Sequence, residues 1–303
     1  MFRSLEEVVA AARTLPRRQR LAVAAAQDLD VLAAVRDAVE WGIVSAVLVG
    51  DKEKIIPLAA QVDLDLEHCP VIPETDPILA AGRAVALVAE GEADLVMKGK
   101  VGTADILRAV LDKDKGLRTG RLLSHIAALD IEGYEGLFFM TDGAMNIAPD
   151  LGQKVQIVEN AVDALHALGW KQPKVAALAA VELVNPNMPA AVEAALLAKM
   201  ADRGQIRGAL VDGPLALDNA VSAHSAEVKG IESPVAGAAD ILMVPDIEAG
   251  NVLYKAIVYF ARAKVAGVIA GAKAPVVLTS RSDSHQVKLD SIALSALIAA
   301  GRK

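Results

Sequence analysis

The residues best suited to chemistry lie near the carboxyl end of the chain, where Ala274–Ser284 has the sequence APVVLTSRSDS. Its apolar part predicts a short buried strand, and Arg281 follows that strand just before a helix that begins near Val287. A guanidinium donates paired hydrogen bonds to phosphate oxygens, and the first N–H groups of a helix also favour an anion. The pattern therefore predicts a phosphate site around Ser280 and Arg281.

Helix capping is the alternative interpretation of the polar residues that follow this arginine. Asp283 with Gln286 three residues later resembles a capping box, and Ser284 is also a good cap. Capping does not explain Arg281, because a cation near a helix N-terminus is disfavoured unless an anion lies between them. The phosphate hypothesis therefore depends on Arg281, while Asp283 and Ser284 are open to both interpretations.

A second strand–helix junction is basic. Met97–Thr103 has the sequence MKGKVGT, so Lys98 and Gly99 end a buried strand, and a helix is predicted over Ala104–Leu111. Glycine allows close approach of a backbone to a ligand, which favours a binding loop. An ordinary basic loop is the alternative, and the nucleotide-binding pattern GxxxxGK[ST] is absent.

Three further junctions carry polar residues, half of them acidic, at predicted strand ends. Acidic residues before helices are common caps, so these signals are weaker. The five histidines lack zinc spacing, and no glycine-rich dinucleotide loop is present. The junctions are Met140–Asn146 with Asp142 and Asn146, Val211–Asn219 with Asp212, and Pro245–Lys255 with Asp246, Glu248, Asn251, Tyr254 and Lys255.

Apolar strands alternate with helices along the whole chain, which predicts an α/β fold with parallel, doubly wound sheets. Of the 303 residues, 54% are hydrophobic and only 3% aromatic, as expected for such a core. About eight predicted strands indicate two sheets. The strands are predicted at residues 44–50, 94–99, 137–141, 174–180, 208–212, 241–244, 268–270 and 276–279.

Composition excludes several classes of function. The formal net charge is −7 and no long basic run occurs, which argues against a nucleic-acid partner. No apolar run reaches the roughly 18 residues of a membrane span, and no secretory segment is recognised, so a cytoplasmic location is expected. The single cysteine excludes an intrachain disulfide and a thiolate metal cluster.

Several ordered stretches together resemble the phosphate acetyl/butyryltransferase family, and phosphate butyryltransferase most closely. The resemblance covers nearly the whole chain. The stretches are DLVMKG from Asp94, LSHIA from Leu123, TDGAMNIAP from Thr141, AAVELVNP from Ala179, VDGPLALDNAVS from Val211, PDIEAGNVLYK from Pro245 and LTSRSDS from Leu278.

The resemblance implies a reversible reaction in which acyl-CoA and phosphate give acyl phosphate and coenzyme A. A butyryl or other short-chain acyl group is expected, with no tightly bound cofactor and no catalytic metal. It also implies two α/β/α domains with a cleft between them, of the isocitrate/isopropylmalate dehydrogenase type. Domain I is expected at 1–134 plus 270–303 and domain II at 135–269, in a homodimer or higher homo-oligomer.

The resemblance assigns the phosphate to Ser280 and Arg281. By position, Ser124 and Arg108 are expected at the acyl phosphate or coenzyme site. The acetyl branch proposes an aspartate, six residues after this arginine, as the base for the coenzyme thiol, but this chain has Val287 there. Asp283 is the substitute expected here. The remaining residues expected to bind substrate are Lys98, Gly99, Asn251, Tyr254 and Lys255.

Other functions give different expectations. Phosphate acetyltransferase is the alternative within the family. A metal-dependent decarboxylating hydroxyacid dehydrogenase requires an aspartate cluster, which Asp212, Asp246 and Glu248 could imitate, and a nucleotide loop for which no candidate is found. A non-catalytic scaffold would have lost strand-end residues such as Ser280, Arg281 and Lys255, and all of them are present.

Overall fold

A computed structural model describes residues 2–280 and 283–302 of the chain. Strands and helices alternate through most of this part, as predicted. The strands are β1 (Gln19–Ala24), β2 (Val44–Gly50), β3 (Val71–Pro73), β4 (Leu95–Lys98), β5 (Ser124–Asp130), β6 (Phe138–Thr141), β7 (Lys174–Leu178), β8 (Leu210–Leu215), β9 (Ile241–Met243), β10 (Lys264–Ala270) and β11 (Val276–Val277). The helices are α1 (Leu5–Arg13), α2 (Leu29–Glu40), α3 (Lys52–Gln61), α4 (Pro77–Ala89), α5 (Thr103–Val110), α6 (Leu151–Ala167), α7 (Pro189–Asp202), α8 (Leu217–Val221), α9 (Ala223–Val228), α10 (Ile247–Phe260) and α11 (His285–Gly301).

The chain divides into two compact units. The terminal unit comprises Ser4–Arg121 and Val265–Lys303, and the central unit comprises Met1–Arg3 and Leu122–Lys264. The main segment of the central unit begins 13 residues earlier and ends 5 residues earlier than domain II, which was expected at 135–269. Those boundaries stay a prediction.

The terminal unit is built on strands in the order β3-β2-β1-β4-β11-β10. The pairs from β3 to β11 are parallel. All residues of β4 are buried, and apolar helices pack against the sheet, α4 on β1 and β2 and α11 on β11 and β4. Strands buried on both faces explain the continuous apolar runs in the sequence. Helix α11 is buried along Lys288–Ile298, between the sheet and helices α1 and α2.

The central unit has the strand order β5-β6-β9-β7-β8. Helix α6 begins with a capping box in which the Asp150 carboxylate accepts a hydrogen bond from the Gln153 N–H group. It ends before Gly169, whose φ of 97° is a conformation that glycine adopts without strain. Both ends of α6 therefore carry residues that favour its capping.

The all-parallel prediction is wrong at two strand pairs. β5 pairs antiparallel with β6, and β10 pairs antiparallel with β11. The connections at residues 131–137 and 271–275 contain no helix. A parallel pair requires a crossover of about a dozen residues or more, so such short connections return the chain in the opposite direction.

Strand ends in the terminal unit are fixed by an ion-pair network at the amino edge of the sheet. Asp94, directly before β4, accepts hydrogen bonds from the side chains of Arg17 and Arg20 and from the Arg20 backbone N–H group. Burial raises the pKa of the Asp94 carboxyl, but the bonds from Arg20 and Arg17 outweigh it and hold this pKa well below its usual range. The network therefore stabilises the entry of β1 and β4 into the sheet.

Within the described residues, no helix combines the length and the apolar character that a membrane span requires.

Candidate functional site

Three strands of the terminal unit end at the same edge of the sheet. Ala24 of β1 is aligned with Lys98 of β4, and Met97 is aligned with Val277 of β11. A cavity of about 180 Å³ lies at these ends. Its lining residues are Asp28, Val31, Lys98, Gly99, Lys100, Thr279, Ser280 and Lys288.

The position of this cavity follows from the strand order. From β1 the chain continues to β2 and then to β3 on one side, and it then returns to place β4 on the other side of β1. Such a reversal leaves a crevice outside the carboxyl ends of the two strands, which is where open α/β sheets bind ligands. Asp28 after β1 and Lys98 in β4 border this crevice.

Gly99 is required by strand packing, and its expected contact with substrate stays a prediction. A Cβ atom on Gly99 would lie 2.4 Å from the carbonyl oxygen of Ala25. The Gly99 N–H group donates to the Ala24 carbonyl at 2.8 Å, and the Lys100 N–H group donates to the Ala25 carbonyl at 2.7 Å. These bonds hold the loop after β4 against the end of β1, so the two lysines flank a fixed backbone.

The cavity has a predominantly cationic lining. Lys98 and Lys288 are only 5% and 3% exposed, and Lys100 is exposed. Lys98 donates to the Gly99 carbonyl at 3.2 Å, and Lys288 donates to the Asp283 carbonyl. Asp28 is the acidic residue of the lining, and one of its oxygens accepts the Val31 N–H group as the cap of α2. Lys288 has no carboxylate partner among the described residues, and a buried ammonium group is costly without a compensating negative charge, so the cavity is suited to an anion.

The turn before α11 is closed by Asp283. Its carboxylate accepts the Ser280 N–H group at 2.7 Å, and its own N–H group donates to the Ser280 carbonyl at 3.2 Å. Ser280 lies at the cavity, whereas the predicted phosphate residue Arg281 lies outside the described residues.

Ser284, rather than Asp283, caps helix α11, so the capping-box prediction is wrong. The Ser284 hydroxyl accepts the Val287 N–H group at 3.4 Å. The Gln286 amide donates to Asp290 instead of returning to the cap. The helix begins at His285, two residues earlier than predicted, because the turn that Asp283 closes brings Ser284 to the cap position.

Arg108 does not line the cavity. It is exposed on helix α5 and donates to the Asp105 carboxylate, one turn earlier, at 2.7 Å. This exposed pair is typical of a helix surface. The expected role of Arg108 at the substrate stays a prediction.

The other residues expected at the site belong to the central unit. Ser124, at the start of β5, is fully buried, and its hydroxyl accepts a hydrogen bond from Asn160 at 3.0 Å. On α10, the Asn251 amide donates to the Gly143 carbonyl at 3.2 Å. Tyr254 contacts the His125 ring edge-on with 6.5 Å between ring centres, and Lys255 is exposed. Their contact with substrate stays a prediction.

Acidic residues at strand ends of the central unit bind backbone groups of their own loops. Asp142 accepts the N–H groups of Ala144 and Met145, both at 3.0 Å. Asp246 accepts the Ala249 N–H group at 2.8 Å and caps α10. Among the described residues, no three or more His, Cys, Asp or Glu side chains are grouped so that they could hold a metal ion.

Two residues that line the cavity were not predicted from the sequence. Asp28 was missed because β1 was not predicted, and Lys288 was missed because it lies inside a helix. The lysine pair around Gly99 and the strand-end position of Ser280 were the signals that did point to the cavity.

These features define an α/β protein with a lysine-lined cavity at a topological switch point of its sheet. The family model described as "Phosphate acetyl/butaryl transferase" matches residues 74–296. The chain belongs to this family, which confirms the resemblance drawn from its motifs.

Individual relatives agree with this assignment. The chain is 48% identical to the phosphate butyryltransferase of Clostridium acetobutylicum, with all of both chains covered. It is 46% identical to the phosphate acetyltransferase of Thermotoga maritima, with 97% of this chain and 99% of the relative covered. A branched-chain phosphotransacylase structure from Enterococcus faecalis superposes with a TM-score of 0.83 at 35% identity, covering 93% of this chain and 99% of the other.

Proposed function

We propose that this chain is a phosphate acyltransferase that interconverts acyl-CoA plus phosphate and acyl phosphate plus coenzyme A. The observation that carries the proposal is the lysine-lined cavity at Ser280, because it provides an anion site in a member of this family. Butyryl or another short-chain acyl group is the proposed substrate. Acetyl is the second candidate, favoured by the identity to the Thermotoga maritima acetyltransferase.

The phosphate part of the substrate is assigned to the cavity. Lys98 and Ser280 line it, and the family resemblance adds Arg281 as the paired donor to phosphate oxygens. A cavity of about 180 Å³ is smaller than the roughly 300 Å³ at which pockets for drug-sized ligands begin, so it fits a small anion rather than the whole coenzyme.

The reaction requires a base, an oxyanion site and a leaving-group site. A free thiol has a pKa of about 8.5 and is mostly protonated at neutral pH, so a base that accepts its proton helps the reaction. We assign this role to Asp283. In the direction that consumes acyl phosphate, sulfur bonds the acyl carbon and the carbon–oxygen bond to phosphate breaks. Ser280 and backbone N–H groups stabilise the tetrahedral oxyanion, while Lys98 and Arg281 hold the departing phosphate.

The coenzyme and acyl parts are assigned to residues outside the cavity. Arg108 and Lys255 are exposed cations, as binding of the coenzyme phosphates requires. Asn251 and Tyr254 are half-buried on α10 beside Lys255. Ser124 is assigned to the acyl group, as expected from its position in the sequence. Its burial and the hydrogen bond that it accepts from Asn160 favour a supporting role.

Self-association through helix α10 completes the proposal. This 14-residue helix is largely apolar, yet Gly250 is its sole buried residue, and the fractions of Val252, Tyr259 and Phe260 exposed are 69%, 74% and 89%. An exposed apolar face of this kind marks an interaction site, and we assign it to a second copy of the chain.

Analytical sedimentation tests this assignment. Wild type is expected to sediment as a dimer and Phe260→Glu as a monomer, while the control Leu79→Glu on α4 stays dimeric.

The finer description of the fold stays part of the proposal. It comprises two doubly wound α/β/α domains of the dehydrogenase type. The cytoplasmic location also stays a prediction.

The test of the function uses purified protein, phosphate and a series of acetyl-, propionyl-, butyryl- and branched-chain acyl-CoAs. Release of the coenzyme thiol is followed with and without phosphate. Phosphate-dependent thiol release, fastest with a four- or five-carbon acyl group, is the expected result. No release with any of the acyl-CoAs would overturn the proposal.

A further inference from the structure

Lys288 is a buried charge that the family motifs do not explain. It lies in the second turn of α11 and is 3% exposed, yet its ammonium group borders the cavity at the strand ends. Within the described residues its polar contact is the carbonyl oxygen of Asp283, and it makes no ion pair with a carboxylate. An ammonium group carries three N–H donors, so this single bond leaves most of its hydrogen-bonding capacity for a ligand.

The surroundings increase the cost of this charge. Two buried lysines, Lys98 and Lys288, line about 180 Å³ of space together with one carboxylate, Asp28, which forms no ion pair with Lys288. Lys288 also lies close to the amino end of α11, where the helix dipole disfavours a cation. A buried cation is retained at low cost only if an opposite charge compensates it. The missing opposite charge is therefore expected to come from a bound anion.

We infer that Lys288 binds the phosphate of the substrate and at the same time positions Asp283. The inference rests on the proposed phosphate acyltransferase function and adds to it a phosphate ligand from α11. Lys288 donates to the Asp283 carbonyl, the Asp283 carboxylate accepts the Ser280 N–H group, and the remaining donors of Lys288 are available to the phosphate. Lys288 is thus a substrate-binding residue of the phosphate subsite.

The test compares Lys288→Met with wild type in two measurements. The first is the dependence of acyl transfer on phosphate and on acyl-CoA. Loss of a charge-assisted hydrogen bond is expected to lower kcat/KM for phosphate about tenfold or more, with KM for acyl-CoA unchanged. The second is the rise in Tm that phosphate alone produces, which is expected in wild type and lost in Lys288→Met.

A matched control removes another buried lysine. Lys154, on α6 of the central unit, is 5% exposed and pairs with Glu193. The double variant Lys154→Met with Glu193→Gln removes both charges together, so it leaves no unpaired ion. It is expected to keep the wild-type dependence on phosphate in both measurements.

The outcomes separate the two proposals. If wild type shows no phosphate-dependent acyl transfer, the proposed function fails, whereas the Tm measurement still reports on anion binding. If wild type is active and Lys288→Met keeps the wild-type KM for phosphate and the wild-type rise in Tm, the inference about Lys288 is wrong.

A crystal of the wild-type protein with inorganic phosphate tests the inference without a variant, should Lys288→Met not fold. The expected result is a phosphate oxygen about 2.7–2.9 Å from Nζ of Lys288, the range of a charge-assisted hydrogen bond. Phosphate bound elsewhere, with no contact to Lys288, would overturn it.

Discussion

At the carboxyl ends of their strands, the terminal unit presents buried ammonium groups and the central unit presents carboxylates that bond their own loops. Lys98 and Lys288 border a cavity and have backbone carbonyls as bonded partners. Asp142 and Asp246 instead accept backbone N–H groups at 2.8–3.0 Å. The same position in an α/β sheet therefore closes loops in the central unit, and in the terminal unit we propose that it binds a ligand.

Polar residues at strand ends can be distinguished by their partners. A charge that the protein itself neutralises contributes to stability, while a buried charge with no carboxylate partner among the described residues, as at Lys288, is the mark of a ligand site. At the carboxyl ends of the strands, substitution of the terminal-unit lysines should therefore affect phosphate binding, and substitution of the central-unit carboxylates should affect folding.

The largest effect is expected for Lys98→Met. Loss of a well-placed donor to developing charge commonly costs about 10²–10³ in turnover, and we expect kcat/KM for phosphate to fall by this factor. Steady-state kinetics measure this loss. Near-wild-type kinetics would contradict the assignment of phosphate to this cavity.

Asp142→Ala is the corresponding change in the central unit. It leaves the N–H groups of Ala144 and Met145 without their acceptor, which should lower the free energy of unfolding by about 1–3 kcal/mol. Urea denaturation measures this loss. KM for phosphate should remain at the wild-type value. If Asp142→Ala instead raised this KM and left stability unchanged, Asp142 would act on phosphate and the proposed difference between the two units would be wrong.

The amino edge of the terminal sheet offers a third comparison, because its charges are neutralised within the protein. Asp94→Asn weakens the bonds from Arg17 and Arg20 and should lower the free energy of unfolding by about 1–3 kcal/mol. The pKa of Asp94 is lowered in the folded state, so this stabilisation is present above the unfolded pKa of about 3.9 and is lost as the pH falls through the folded pKa. Wild type and variant should therefore converge in stability in strong acid. Denaturation at several pH values tests this, and a constant difference down to strong acid would contradict it.

The smallest effect is expected for Cys69→Ala. Burial raises the pKa of the Cys69 thiol to about 11, and Asp65 adds to the shift, so the thiol is protonated and unreactive at neutral pH. Thiol titration should label native protein slowly, and acyl transfer should be unchanged. If Cys69→Ala lost acyl transfer activity, Cys69 would be needed for the reaction. That result would contradict the assignment of the chemistry to the strand-end cavity.

Much of the terminal unit's fold was predictable because its central strands are continuous apolar runs. The predicted limits of β2 agree with the structure, and the strand before Lys98 was placed within a residue of β4. β1 was missed because QRLAVA contains alanine and polar residues that are not typical of strands. It forms a strand through pairing with two neighbours, which a single sequence does not reveal.

The candidate site was predictable where a residue follows a strand, and not where it comes from inside a helix. Ser280 and Lys98 were found because they end apolar runs. Lys288 was not, since α11 is buried along most of its length and has no polar face against which a buried lysine would stand out. Its significance depends on the cavity, which forms only when distant segments meet.

Calorimetric titration of inorganic phosphate into the wild-type protein and the Lys98→Met variant tests the central claim most directly. We expect saturable binding at one site per chain in wild type and a loss of that binding in the variant, both measured without acyl-CoA. Equal phosphate affinity in the two proteins would contradict the claim that the strand-end cavity of the terminal unit is the phosphate site.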